Sequence, residues 1–166
     1  MMELSSLERT AIKIIKEIKY LNLATITPEG LPWNSAVFTA FDEDLNFYFL
    51  SWKENQHSIN IRNNAKAFVT IYDSTVPPST GVGVYFEGEV AEMSNPIHII
   101  EGLKVIYKRS NKSMREVKQF LTHFPRRAYR FKPNKAWVNG DSDIDGNYID
   151  IRTEVSLMAL RAGIRD

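Results

Sequence analysis

The sequence predicts a mainly β protein of α+β type, a small antiparallel barrel of six or seven strands with flanking helices over its openings. Three observations predict it. Strand-like blocks recur at 20–27, 33–41, 45–51, 67–73, 82–93 and 127–138. The first three are joined by links so short that neighbours must run antiparallel. Helical spacing is confined to the stretches between and around these blocks. Composition alone leaves a barrel and a sandwich both open.

Taken in chain order, Ser5 and Glu8 form a capping box that opens a helix. Leu7, Ala11, Ile14, Ile15 and Ile18 give it one apolar stripe, opposite Arg9, Lys13, Lys16 and Glu17. From Tyr20 the period becomes two. Thr27-Pro28-Glu29-Gly30 is turn chemistry, and Phe41-Asp42-Glu43-Asp44 makes a second tight turn, so the first three strands form a meander. Residues 54–64 read as a short helical connection with Ile59 and Ile61 as its apolar contacts. The Pro77-Pro78 pair places a loop at 74–83, and Gly88 marks a bulge at a barrel corner in the long strand that follows. Asn95-Pro96 caps a helix with Ile99, Ile100, Leu103, Ile106 and Tyr107 on its apolar face. Ser113 with Glu116 predicts a further capped helix carrying Val117, Phe120, Leu121 and Phe124. Residues 127–138 are the last barrel strand with a bend near Pro133, 139–147 a polar loop, and 148–166 a strand fragment and short helix or a partly disordered end.

Length and composition set bounds. A chain of 166 residues with 43% apolar and 25% charged residues is globular by composition and long enough to bury a core. It reads as one domain over 1–152 followed by a tail at 153–166. A net charge of +1 provides no global field toward nucleic acid or acidic membrane. Absence of cysteine excludes disulfides, thiolate metal sites and thiol nucleophiles. With no signal-like segment and no run of spanning length, the expectation is a soluble cytoplasmic protein.

The densest chemistry lies where the third strand ends and a helix begins. Ser51, Lys53, Gln56, His57 and Ser58 offer a cation, an amide, an imidazole and two hydroxyls within eight positions. A helix N-terminus adds unpaired N–H groups, which together suit a phosphate monoester. An ordinary solvated helix entry is the competing reading. In Trp33-Asn34-Ser35-Ala36, small residues let a flat ring approach the strand backbone, and Trp52 and Trp137 could close over it, unless both are core or dimer residues. The three histidines, His57, His98 and His123, match no zinc spacing. Asp141, Asp143 and Asp145 resemble half a calcium loop, but Arg152 stands where its bidentate glutamate belongs, so no metal is expected. Arg126, Arg127, Arg130 and Lys132 interleave with Tyr129 and Phe131; this could stack single-stranded nucleic acid, or be one wet and one core face of a strand. The chain shows no nucleophile elbow, P-loop or dinucleotide fingerprint. No general acid is identifiable.

The stretches NLATITPEGLPWNSAVF, LNFYFLSWKENQHSINIRNNAKAFVTIYD, GVYFEGEVAEM and YRFKPNKAWVNG, in this order and spacing, resemble the flavin-binding split-barrel family of pyridoxamine 5′-phosphate oxidase-like proteins over about residues 5–152. The resemblance implies a homodimer binding flavin mononucleotide (FMN) at its interface. It implies that Asn34, Ser35, Ala36, Val37 and Phe38 line the isoalloxazine ring through main-chain contacts. Ser51 and Trp52 would lie beneath the cofactor. Lys53, Gln56, His57 and Ser58 would meet ribityl and phosphate oxygens, and Trp137 would approach from the second subunit. Where members often carry Arg-Lys, this chain has Gln56-His57. The C-terminal Arg-x-His signature of true pyridoxamine phosphate oxidases is absent, so pyridoxal phosphate synthesis is not expected. The implied activity is an FMN-dependent oxidation or reduction of a small molecule, with a nicotinamide or deazaflavin as possible electron donor and neither nucleic acid nor membrane as partner. A non-catalytic flavin or haem carrier or sensor on the same barrel is the alternative.

Overall fold

In the computed structural model, residues 3–121, 123–144 and 147–165 are described, with side chains throughout except at 141–144 and 147–150. Helix α1, Ser6–Glu17, begins at the expected capping box: Ser5 Oγ accepts from the Glu8 N–H, and the Glu8 carboxylate accepts from the Ser5 N–H at 2.8 Å. These bonds hold the Glu8 carboxyl below its usual range. Ala11, Ile12 and Ile15 are the residues α1 buries.

Strands β1 (Tyr20–Ile26) and β2 (Pro32–Phe38) form a hairpin closed at Gly30, whose positive φ of 85° fits the expected turn. The block expected at 33–41 is broken at one residue, Thr39, and resumes as β3, Ala40–Phe41. The Asp42 carboxylate then organises the next turn, accepting from the Asp44 and Asn46 N–H groups, the Asn46 amide and the Tyr48 hydroxyl. Strand β4 is Phe47–Trp52, helix α2 Gln56–Asn63, β5 Lys66–Tyr72 and β6 Gly83–Glu92. Helix α3, Pro96–Ser110, starts at Asn95, whose side chain accepts from the Ile97 N–H as its cap sequence predicts.

One antiparallel sheet takes the order β2-β1-β5-β6-β7-β4-β3, with β7 spanning Arg126–Ile144 and β8, Asn147–Val155, paired to β7. Because β2 and β3 are one run of chain interrupted at Thr39, the two ends of that order belong to the same stretch, and the sheet curls round on itself. Six strand runs make the curl and β8 extends it, so the six- or seven-stranded antiparallel architecture holds. The bulge is where Gly88 places it: the β6–β7 register shifts between Glu87 and Gly88, and a Cβ on Gly88 would strike the Lys132 carbonyl and the Phe131 ring.

The interior is aromatic and aliphatic. Phe47 and Phe86 meet at 5.2 Å between ring centroids, and Phe49 stacks on Tyr129 at 5.0 Å. A second cluster lies outside the barrel, where Ile99, Leu103 and Ile106 of α3 cover Tyr48 and Ala128. Helix α4, Leu157–Arg165, packs on α1 so closely that a Cβ on Gly163 would collide with Ile12.

Two expectations are corrected. The capped helix at 113–124 is only a 3-10 turn, Val117–Phe120: Glu116 makes no side-chain cap, Leu121 is extended, and Pro125 disfavours a helical Phe124. The polar loop expected at 139–147 is strand up to Ile144, where β7 pairs with β8. Beyond Val138, β7 no longer pairs with β6, so this ribbon has no barrel face to impose an apolar period. The calcium-loop reading falls on side chains outside the described residues.

Candidate functional site

The buried polar side chains among the described residues are Thr25, Thr39, Ser51, His57, Ser58 and Asn60: Thr39 sits between β2 and β3, Ser51, His57 and Ser58 lie where β4 gives way to α2, and Asn60 meets Thr25 of β1. Thr39 is the branch point. Its N–H donates to the Lys19 carbonyl and its hydroxyl to the Tyr48 carbonyl at 3.1 Å, joining the β1 side to the β4 side. Beyond it β2 pairs only with β1, so alternate N–H and C=O groups of β2 face an open edge.

Helix α2 lies beside this split, burying Ile61 in the core and docking its polar residues by hydrogen bonds. His57 bridges the two strands: Nε2 lies 2.7 Å from Ser51 Oγ on β4 and Nδ1 lies 3.1 Å from Ser35 Oγ on β2. Each serine is held from a second side, Ser51 by the Asn55 amide at 2.9 Å and Ser35 by the Trp33 indole N–H at 3.2 Å. Ser58 donates to the Trp52 carbonyl, while Gln56 donates to Asn60, which donates to Thr25. The imidazole packs edge-on against Phe49, and burial pushes its pKa below the ordinary 6.5. A neutral ring therefore sits in the clasp, donating through one nitrogen and accepting through the other.

The turn before α2 is fixed to the barrel wall. Lys53 N–H donates to the Pro125 carbonyl, and Arg62 donates to the Lys53 carbonyl. Arg62 and Arg127 both reach the Glu92 carboxylate, at 3.3 and 3.0 Å, and the Tyr129 hydroxyl donates to it. Burial is the main cause that pushes the Tyr129 pKa up to about 12.

The residues expected to serve the ligand separate into groups. Ser35, Ser51 and His57 converge directly, and Gln56 and Ser58 belong to the same network. Asn34 and Ala36 are exposed on β2, Val37 is buried in the barrel, and Phe38 is half-buried on the outer face. Trp52 is exposed, and Lys53 Nζ lies 3.9 Å from Glu54. Trp137 stands apart within one chain, on β7 opposite Tyr85 and stacked on Phe68. Sequence reasoning missed Asn55, Asn60 and Thr25: the role of Asn60 and Thr25 appears only when α2 meets β1, and Asn55, four residues after Ser51, reads in the sequence only as part of a polar helix entry. His98 and His123 are exposed, and His123 lies in a turn rather than a helix.

Several observations fit the cradle to a phosphate-bearing flat cofactor. Asn55, the α2 N-cap residue, makes no side-chain cap bond, so the first N–H groups of the helix are uncapped. The Ser51 and Ser58 hydroxyls and the Asn55 amide lie at that terminus, Lys53 precedes it in the chain, and His57 ties it to Ser35 on the open edge of β2.

The family profile described as pyridoxamine 5′-phosphate oxidase matches residues 7–139, and the chain belongs to that family. Comparison with curated proteins found no match. Among solved structures the chain is similar to a heme binding protein from Mycobacterium smegmatis (TM-score 0.71, 14% identity), covering 97% of this chain but 62% of that one. It is also similar to an F420 reductase (TM-score 0.56, 19% identity, 81% of this chain and 98% of that one). A putative pyridoxamine 5′-phosphate oxidase from Listeria innocua gives TM-score 0.60 at 15% identity, over 80% of this chain and 98% of that one. At these identities the likenesses carry the fold alone. No helix among the described residues is long and apolar enough to cross a membrane.

Proposed function

We propose that the chain is an FMN-dependent oxidoreductase that acts on a small molecule in the cytoplasm, as a homodimer. The observation that carries this reading is the split itself: an open strand edge beside an uncapped helix N-terminus, with Ser35, His57 and Ser51 clasped between them. The phosphate would be held by the α2 N–H groups with Lys53 and Gln56, while Ser51, His57 and Ser58, whose side chains are committed to the protein, would hold that helix end in place. The polar rim of the ring would be met by main-chain groups of residues 34–38, with Trp52 beside it and Trp137 of the second subunit closing over it.

Bound flavin supplies the hydride or electron chemistry, and the protein's part is binding, orientation and exclusion of water. No nucleophile is required. Val37 of β2 and Phe49 of β4 are buried in the barrel interior, on the inner side of the split. His57 could move a proton at Nδ1 or Nε2 only by exchanging with a serine hydroxyl, which makes it a holder rather than an acid.

The test is the visible spectrum of protein mixed with FMN and then desalted. Retained flavin absorbance supports the reading; colourless protein contradicts it. One observation favours the flavin form of the second reading, a non-catalytic flavin or haem carrier: the sole imidazole in the cradle has both nitrogens committed to the protein and so offers a bound flavin no proton. Reduction of bound FMN by a nicotinamide nucleotide and transfer to an acceptor would separate enzyme from carrier. A Soret band after addition of haem, with no flavin retained, would select the haem form.

A further inference from the structure

Strand β8 leaves the sheet open on one side. It pairs with β7 from Ala136 opposite Val155 to Ile144 opposite Asn147, and with no other strand among the described residues. The backbone of residues 151–155 is hydrogen-bonded to β7 alone among those residues. Alternate N–H and C=O groups therefore point away from β7 and form a template for a further strand. Edges of this kind are usually blunted by a proline, a bulge or repelling charge. Strand β8 has no proline, and its register with β7 runs without a shift.

The side chains along this edge suit one partner. Arg152 and Glu154 lie on one face of β8, opposite Asn139 and Trp137 of β7, and both are exposed. Neither forms an ion pair among the described residues. Arg152 is held over the Tyr85 ring, 4.0 Å from its centroid, so its charge is fixed rather than swinging in solvent. The other face carries Ile151, Thr153 and Val155, all β-branched and all suited to a strand.

We infer that β8 pairs edge to edge with β8 of a second copy of this chain, antiparallel and centred on Thr153. About that two-fold axis Arg152 stands opposite the partner's Glu154, Ile151 opposite the partner's Val155, and Thr153 opposite its own counterpart. Opposite charges, β-branched pairs and threonine pairs are the cross-strand neighbours that stabilise a sheet. Centring the pairing one residue earlier would set Arg152 against itself. The contact is self-complementary, as a two-fold interface must be. It uses the edge of the β7–β8 ribbon, whereas Trp137 belongs to its face. It is therefore distinct from the contact proposed to bring Trp137 to a partner's cofactor, and stands without it. The two contacts together would close a tetramer.

The chain has no cysteine, so one introduced thiol reports only on its own surroundings. Directly opposed residues of antiparallel strands stand about 4.5–5.5 Å apart at Cα, within disulfide reach. On mild oxidation of the full chain, Thr153→Cys should give a covalent dimer. Ile151→Cys, opposite Val155 rather than itself, should not. Light scattering supplies a second reading. Arg152→Glu and Glu154→Arg each set like charges across the edge, and each should halve the wild-type mass at equal concentration while keeping the wild-type melting temperature. Equal parts of the two variants should reassemble to the wild-type mass, because opposite charges then face each other again. The combined variant Arg152→Glu/Glu154→Arg should keep that mass by itself. Wild type that stays monomeric, single variants of unchanged mass, or a mixture that does not reassemble would overturn the proposal. A disulfide through Ile151→Cys but not through Thr153→Cys would overturn the register and with it the charge argument. Should a charge variant fail to fold, the two cysteine variants decide.

Discussion

Two parts of the barrel are held together in opposite ways. The wall from β5 through β6 to β7 is a continuous ladder over an interior of Val69, Phe86 and Phe131, with one bulge at Gly88. The split between β2 and β4 has no ladder; it is joined by Thr39 at one end and by the Ser35–His57–Ser51 bridge at the other. The wall is apolar inside, whereas Thr39, Ser51 and His57, all polar and buried, lie at the split. A hydrogen bond in a fold contributes only about 1 kcal/mol net, but leaving its buried partner unsatisfied costs about 1–3 kcal/mol. The difference implies that damage to the wall removes stability, whereas damage to the split removes binding.

The comparison breaks most sharply at Gly88. Gly88→Ala would force the Lys132 backbone and the Phe131 ring apart, and should cost about 3 kcal/mol in urea unfolding. A melt unchanged from wild type would show that the bulge is not a rigid part of the wall. Next comes Glu92→Ala. It strips the carboxylate from Arg127, whose side chain is 11% exposed, and should cost about 2 kcal/mol while loosening the turn that precedes α2.

At the split the balance should reverse. His57→Gln cannot span both serines, but Asn55 and the Trp33 indole still satisfy their hydroxyls, so stability should fall by only about 1 kcal/mol. FMN affinity should fall at least tenfold, about 1.4 kcal/mol. Calorimetry and flavin titration on the same sample would check both. A variant that loses stability but keeps FMN would place His57 among the wall's structural residues.

The smallest effect is the pH dependence. The folded-state pKa of His57 lies below its unfolded value, so the unfolded chain binds the proton more readily. The contribution is present in full above about pH 6.5 and is lost as pH falls through that value toward the folded pKa. Wild type should therefore lose stability between about pH 7 and 5 relative to His57→Gln, and parallel melting curves would contradict a neutral buried ring.

How much of this was legible in the sequence follows from the same contrast. The barrel could be read because Val69, Phe86 and their neighbours alternate, the capping box at Ser5 and Glu8 is local, and Gly88 marks its own bulge. The family could be read because those elements come in order. The clasp could not. Helix α2 buries Ile61 in the core as its spacing implies, but its other buried residues, His57, Ser58 and Asn60, are polar and carry no apolar period, and the partners Ser35 and Thr25 are distant in the chain. The sequence marked the segment as polar and rich in donors, but polarity reads the same whether a residue faces water or a buried hydroxyl. The break at Thr39 was hidden for a related reason: one residue cannot interrupt a strand-like pattern enough to be noticed.

Because the chain has three histidines, the clasp can be watched directly. Ring nitrogen-15 resonances recorded while FMN is added should show His57 moving at the same FMN concentrations as flavin fluorescence is quenched, with His98 and His123 unmoved. Flavin binding that leaves the His57 resonances where they were would contradict the claim that the split is the ligand's seat.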